Sequence, residues 1–290
     1  VPYSRKDSTG KYTMGKGLSN YDLPVIVSGS TTNKENITVH VALDPDTLNA
    51  LNEARFQSRT DLYYHEMDRY ATFPETTQIK AGEDLSLLPI TFDFRGIDMS
   101  EKWILPLTVV DSSAYNYQSN PRRNYRKALL RIFPFNDFSG DYSGTALLNF
   151  IAGDEGNGSI VENTVTGYVV NDSIVFFYAG TIDENRTDRK NYKIYATFNG
   201  TDNGTVTFRC DNDSVNFVNN KEASFRIVDN MDDVRPYLKH HYVIINNIDY
   251  NYDDYTSVPG SRITYEVRGT LTLERNINTQ IPDEDQAIEW

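Results

Sequence analysis

The sequence predicts an all-β protein: an N-terminal Ig-like β-sandwich followed by a C-terminal antiparallel β-barrel of lipocalin-like type. Three observations predict it. Short runs of alternating apolar and polar residues recur along the chain, bounded by Gly, Pro, Asn and Asp. The apolar content leans on aromatics, with 20 Tyr and 14 Phe in 290 residues and 39% hydrophobic residues overall. Tyrosine suits a half-buried sheet, ring inside and hydroxyl at the wet rim. Finally, Arg131-Ile-Phe-Pro-Phe-Asn-Asp-Phe-Ser-Gly-Asp-Tyr-Ser-Gly144 interrupts the pattern near its middle. Pro134 cannot donate a ladder hydrogen bond, and Gly140 and Gly144 permit backbone angles that other residues avoid. This stretch is the expected seam between a sandwich at 21–134 and a barrel at 135–290.

Residues 1–20 are polar and rich in Ser, Gly, Lys and Tyr, as in a flexible leader. Leu23–Val27 is the first strand, with Pro24 suiting an edge. In Ile37–Leu43 the residues Ile37, Val39, Val41 and Leu43 share one face. Asp44 caps a short helix with Pro45 at its first position and Leu48, Leu51 and Ala54 as its packing stripe. Strands follow at Thr77 onward, at Leu85–Phe94, at the apolar Trp103–Val110 and at Lys127–Phe133. Tyr115–Arg126 is a loop rich in Tyr, Asn and Arg.

The second half opens with a strand at Thr145–Ile151. Thr164–Val170 and Ser173–Tyr178 flank an Asn171-Asp172 hairpin turn. Tyr192–Phe198, Thr205–Cys210, Ala223–Val228, Tyr242–Tyr250 and Arg262–Glu274 complete a set of about eight antiparallel strands, enough to close a barrel. Asp229–His241 is mixed: Met231, Val234 and Leu238 have the spacing of a short helix, which Pro236 limits.

Composition removes several function classes. The net charge is −13, and no basic patch is visible, so neither nucleic acid nor an anionic membrane surface is an expected partner. No apolar run is long enough to span a membrane as a helix. Cys210 is the single cysteine, so no intrachain disulfide forms, and its strand setting makes it a small sheet residue. Metal and cofactor are both expected to be none. His240 and His241 are adjacent, and in a strand they point to opposite faces. Asp211-Asn-Asp213 and Asp253-Asp254 lack the spaced ligands of a calcium loop. No metalloprotease, nucleophile-elbow or phosphate-loop motif occurs. Arg95-Gly-Ile-Asp-Met-Ser-Glu101 resembles the acidic strand motif of chitinase-type glycosidases, but Arg95 stands for the first acid and the spacing to Glu101 is one residue short. The protein is therefore not expected to be an enzyme.

Two aromatic and amide-rich stretches are the binding candidates. Asn246-Asn-Ile-Asp-Tyr-Asn-Tyr-Asp-Asp-Tyr255 offers Tyr250, Tyr252 and Tyr255 as flat faces, with Asn247, Asp249, Asp253 and Asp254 as hydrogen-bonding groups. That is the chemistry of a saccharide site, in which rings meet the C–H face of a pyranose and planar amides or carboxylates meet its hydroxyls. The same stretch also fits a strand whose tyrosines pack on the sheet. The second is the loop around Tyr115, Tyr117 and Arg122, since exposed Tyr and Arg favour interfaces. Trp103, inside an apolar strand, is expected in the core.

Val39-His-Val-Ala-Leu-Asp-Pro-Asp-Thr-Leu-Asn-Ala-Leu-Asn52, Ile79-Lys-Ala-Gly-Glu83 and Trp103-Ile-Leu-Pro-Leu-Thr-Val109 together resemble the N-terminal Ig-like domain of Bacteroidetes cell-surface lipoproteins of unknown function. Phe138-Ser-Gly-Asp-Tyr-Ser-Gly144, Val267-Arg-Gly-Thr-Leu-Thr-Leu-Glu-Arg275 and Ile281-Pro-Asp-Glu-Asp-Gln-Ala-Ile-Glu-Trp290 resemble the β domain that often follows it. The resemblance implies a lipid-anchored protein on the outer-membrane surface, its lipidated cysteine upstream of Val1. It also implies a non-catalytic glycan-binding role beside other outer-membrane glycan-uptake proteins. A structural or adhesin-like protein-interaction module is the alternative, and a glycoside hydrolase the third reading.

Overall fold

The computed structural model describes residues 1–7, 9–29, 31–120, 122, 125–154 and 158–281. Among these it shows nineteen strands and one α-helix, in two units, Val1–Pro134 and Phe135–Trp290. Trp290 and the acidic tail before it lie outside the described residues.

The first unit runs β1 (Leu18–Ile26), β2 (Ile37–Leu43), α1 (Pro45–Phe56), β3 (Tyr64–Glu66), β4 (Ala71–Thr72), β5 (Thr76–Ile79), β6 (Leu85–Asp93), β7 (Lys102–Val109) and β8 (Lys127–Leu130). One sheet has the order β1-β6-β4; the other is β3-β7-β2-β5, with β8 also on β7. Strand β6 shows why sheets form. Leu88, Ile90 and Phe92 are fully buried, while Pro89 and Thr91 between them, and Leu85 and Leu87 before them, are exposed. Strand β7 is buried from Trp103 to Leu107 on both faces, because α1 covers its outer side. There Leu48, Tyr64 and Ile104 cluster, with Leu51 and Phe56 packed against them. The helix starts as expected: Asp44 Oδ1 accepts the Thr47 N–H at 3.2 Å and Pro45 is the first helical residue. Asn52 joins the buried stripe in place of Ala54. Its Oδ1 accepts the Tyr64 N–H at 2.8 Å and its Nδ2 donates to the Tyr64 carbonyl at 2.9 Å. Trp103 is buried, and its Nε1 donates to the Asp98 carbonyl.

Residues 1–7 and 9–17 differ from the leader expected at 1–20. Tyr3 and Ser4 are buried, Tyr3 stacks on Phe94, and the Ser4 hydroxyl accepts the Gly17 N–H at 2.7 Å. That ring and hydrogen bond, with the Arg5 N–H donating to the Leu18 carbonyl and the Arg5 guanidinium to Asn20 Oδ1, hold an otherwise polar segment in place.

The second unit runs β9 (Gly140–Ser143), β10 (Leu147–Ile151), β11 (Ile160–Val161), β12 (Thr164–Val169), β13 (Ile174–Tyr178), β14 (Lys193–Gly200), β15 (Asn203–Cys210), β16 (Val218–Asn219), β17 (Ala223–Met231), β18 (Leu238–Asp254) and β19 (Ile263–Asn278). Eight of them close an antiparallel barrel in the order β19-β9-β12-β13-β14-β15-β17-β18, with β18 pairing back onto β19. β10 and β11 extend the far part of β19, and β16 extends the far part of β18. The interior is filled by side chains such as Phe177, Ile194, Phe208 and Leu271, leaving a cavity of about 10 Å³, room for one water at most.

The interrupted stretch after Pro134 locks onto one end of this barrel. Phe138 stacks on Phe198 at 4.0 Å and meets Phe225 edge-on. The Tyr142 hydroxyl donates to the Phe138 carbonyl at 2.6 Å, and Arg275 donates to the Asn136 and Ser139 carbonyls. Gly144 is needed where the strand turns, because a Cβ there would run into the Glu162 carbonyl oxygen. The expected short helix within Asp229–His241 is absent. β17 runs through Met231, and Asp232 Oδ1 accepts the Val234 and Arg235 N–H groups to form a tight turn. Val234, one of the three residues with helical spacing, is 87% exposed at the turn.

Candidate functional site

The long strand β18 decides the site. Asn246 and Asn247 together face one position of β19, so the register slips between Ile245 and Ile248, a bulge that re-aims every later side chain. Asn247 takes a left-handed φ of 60° there and is exposed, a conformation asparagine tolerates. Beyond the bulge Ile248, Tyr250 and Tyr252 point into the barrel.

That placement corrects the expected stacking platform. Tyr250 is 5% and Tyr252 0% exposed, so neither ring has a face to offer a sugar. The Tyr250 hydroxyl accepts the Gly180 N–H at 3.3 Å, and burial pushes its pKa up to about 12. Burial likewise raises Tyr252 far above the ordinary phenol range. An alternating strand in a closed barrel sends its largest apolar rings inward, because that is where their area leaves water.

The acids and Tyr255 of the same stretch serve as a frame. Asp249 and Asp253 are buried, 5% and 8% exposed. Burial pushes the Asp249 carboxyl up, but hydrogen bonds from Asn220 and Lys221 outweigh it and hold the pKa low. Asp253 follows the same balance: burial opposes Thr264, Asn216 and Arg262, and the hydrogen bonds win. Tyr255 is half-buried, and its hydroxyl accepts from Asn212 Nδ2 at 3.1 Å. At the same barrel end a charged network holds the loops. Arg186 bridges Asp188 and Asp254, and Tyr192 Oη donates to Asp254 Oδ1 at 3.0 Å. Burial works against the Asp254 charge, yet Ser257, Thr256 and Tyr192 keep its pKa well below the carboxylate range.

What this frame holds is a surface concavity of about 390 Å³, lined by Arg209, Cys210, Asn212, Asp213, Asn216, Phe217 and Asn219 with Phe208 behind. Asn216 Nδ2 donates to Asp253 Oδ2 at 2.7 Å, so a buried carboxylate orients an exposed amide. Asn216 adopts a left-handed φ of 45°. Phe217 is half-buried and rests on the Tyr250 ring, 5.4 Å between centroids. Arg262 donates to the Ser214 carbonyl at 2.7 Å and lies over Tyr255. One aromatic side chain among asparagine amides and a guanidinium can pack on an apolar face and bind hydroxyls around it. Sequence reasoning missed these lining residues. The signal was present as Asp211-Asn-Asp-Ser-Val-Asn-Phe-Val-Asn-Asn220, an amide-rich turn carrying a single phenylalanine. Cys210 lies at the rim of the sheet, and burial raises its thiol pKa. Among the described residues, no group of three or more His, Cys, Asp or Glu is placed to hold a metal.

The second predicted stretch lies in the first unit. Tyr115 stacks on His40 at 3.9 Å and on Tyr117 at 5.4 Å. The Tyr117 hydroxyl donates to the Val110 carbonyl at 2.6 Å and accepts the His40 N–H at 3.0 Å. These rings pack on one another and on β2. Arg122 is exposed and its N–H donates to Asn120 Oδ1; Pro121, Arg123 and Asn124 beside it lie outside the described residues. The structure brings the two tyrosines together and does not join Arg122 to them.

Comparison with known proteins agrees with this architecture. The family described as a domain of unknown function, DUF4973, matches residues 2–113, and a family of C-terminal domains matches residues 126–272. No curated protein matches. A crystal structure described as an auxiliary nutrient binding protein from Bacteroides thetaiotaomicron is 55% identical with a TM-score of 0.91, covering 100% of this chain and 94% of that one. A protein of unknown function from Bacteroides ovatus is 42% identical with a TM-score of 0.85, over 96% of this chain and 92% of that one. A Bacteroides ovatus multidomain protein including DUF1735 is 39% identical with a TM-score of 0.84, over 96% and 92%. With that identity sustained over nearly the whole length, the chain belongs to this family of Bacteroides proteins, and in it the DUF4973 match precedes the match to the C-terminal domain family.

Proposed function

We propose that this protein is a non-catalytic saccharide-binding accessory of a glycan-capture system at the bacterial cell surface, tethered by a lipid anchor upstream of Val1. The observation that carries the reading is the concavity built on the β15–β16 turn, where Phe217 sits among Asn212, Asn216, Asn219 and Arg209. Its volume is in the range of small-ligand sites. The name of the similar protein from Bacteroides thetaiotaomicron, an auxiliary nutrient binding protein, points the same way. The buried carboxyls of β18 near the site, Asp249 and Asp253, have lowered pKa values, whereas a glycosidase needs a general acid raised to stay protonated. A glycan array on the purified chain, followed by calorimetry on any hit, tests the proposal. Phe217→Ala and Asn216→Ala are expected to weaken a hit about tenfold, roughly 1.4 kcal/mol. Tyr115→Ala, in the other unit, should leave it unchanged. Silence across host and plant glycans would remove the reading. Fractionation of cells making the full-length protein, with surface protease digestion, tests the location.

One observation favours a protein partner as the second reading. On the outer face of β1 and β6, Ile26 pairs with Leu85 and Pro24 with Leu87. Ile26 is 67% and Leu87 51% exposed, and contiguous exposed apolar residues mark interaction surfaces. Cross-linking in cells with I26K and L87K variants separates this reading from saccharide capture, because those changes leave the barrel unit untouched.

A further inference from the structure

The concavity continues into a row of side chains on the outer surface of the barrel. In register across four adjacent strands, Tyr168 of β12 faces Phe176 of β13, Phe176 faces Tyr195 of β14, and Tyr195 faces Arg209 of β15. Inward residues alternate with them: Val169, Val175, Phe177, Ile194, Ala196 and Phe208 are all buried. The row is continuous. Tyr168 and Phe176 stack at 5.0 Å, Phe176 and Tyr195 lie 6.2 Å apart, and the Arg209 guanidinium sits 4.3 Å from the Tyr195 ring centre. Phe176 is buried between its neighbours under the Lys193 side chain, whereas Tyr168 and Tyr195 are half-buried. Arg209 also lines the concavity, so row and concavity share a residue. Strand spacing of about 4.8 Å gives the row a length of about 14 Å, and one strand spacing is close to the length of one pyranose.

We propose that the saccharide site is extended: a neutral linear oligosaccharide enters the concavity with one end and runs across the strands over Arg209, Tyr195 and Tyr168. This rests on the saccharide reading of the concavity. Neutrality follows from the charges, because three of the cations around the site are already matched. Arg209 pairs with Asp211, Arg262 with Asp253 and Lys221 with Asp249. A sulfated or uronic chain would meet those carboxylates within a protein of net charge −13. A linear chain, unlike a single sugar, can use both the amides of the concavity and the Arg209–Tyr195–Tyr168 row beyond it.

The test is calorimetry on the whole chain with xylo-, manno- and malto-oligosaccharides of two to six units, beside oligogalacturonates. The expected result is affinity that climbs from the disaccharide to the longest member of one neutral series and changes little with salt. Tyr195→Ala should weaken the longest member about tenfold, equivalent to about 1.4 kcal/mol, and leave the disaccharide unchanged. Tyr195→Leu, which keeps apolar bulk but no flat face, should do the same if the alanine variant folds poorly, and Tyr195→Phe should bind as the parent. Equal affinity for the disaccharide and hexasaccharide overturns the extended site and leaves the concavity reading standing. Binding confined to the oligogalacturonates and lost in salt overturns the neutral assignment. No binding by any series overturns both.

Discussion

Substituting Gly180 by alanine reports where the Tyr252 ring lies. Gly180 has a φ of +52°. A Cβ built there would collide with the Tyr252 hydroxyl and lie 2.7 Å from its Cε1 and 2.9 Å from its Cζ. Left-handed backbone costs an ordinary residue about 1–2 kcal/mol. Forcing a methyl group against a packed ring costs about 1–3 kcal/mol more. Gly180→Ala should therefore destabilise the barrel unit by about 2–5 kcal/mol. With Tyr252→Leu already in place the ring is gone, and the same change should cost only the backbone part, about 1–2 kcal/mol. The difference between the two backgrounds is the coupling energy of the pair. Urea titrations and scanning calorimetry supply it, with the two units followed separately because they need not unfold together. Each kcal/mol is worth about 2–4 °C in a unit of this size. Equal costs in both backgrounds would show that the ring does not fill the space beside Gly180. A cost-free Gly180→Ala would refute the buried placement of Tyr252, and with it the removal of that tyrosine from the binding surface.

Other outcomes follow from the same geometry. Asn52→Leu leaves the Tyr64 N–H and carbonyl buried without partners, at about 1–3 kcal/mol each, and should appear as faster amide exchange at Tyr64 with a lower urea midpoint for the first unit. Asp44→Ala removes the cap of α1 and should cost about 0.5–2 kcal/mol, read in the same titration. Asp249, Asp253 and Asp254 have folded pKa values held below their unfolded ones. Their stabilisation is therefore complete above about pH 4 and lost as pH falls through the folded values; Asp253→Asn should flatten stability against pH on that acid side. His240 acts in the opposite sense. Asp232 and then Glu274 raise its pKa, so its contribution is present below about pH 6.5 and lost as pH rises through the raised value. His240→Gln should remove that part of the profile.

Local patterns were legible from the sequence where the physics is local. The Asp44–Pro45 start of α1 needs only a side-chain acceptor and a fixed φ within four residues. The Asn171–Asp172 turn lies between β12 and β13 because two alternating runs abut it. The direction of Tyr250 and Tyr252 was not legible, since alternation says only that side chains share a face, not which face. The bulge at Asn246 and Asn247 sets that phase, and it exists only where β18 pairs with β19.

The order of apolar and polar residues determined by itself that this chain forms sheets, where its short helix begins and where β12 turns into β13, because each depends on neighbours a few positions apart. Closure of the barrel through β18 and β19, inward burial of the tyrosines, and the meeting of Asn216 with Asp253 and of Asn212 with Tyr255 were decided by tertiary structure alone. Those contacts join residues about forty positions apart in sequence. No local pattern encodes them, and only the folded barrel places them beside one another.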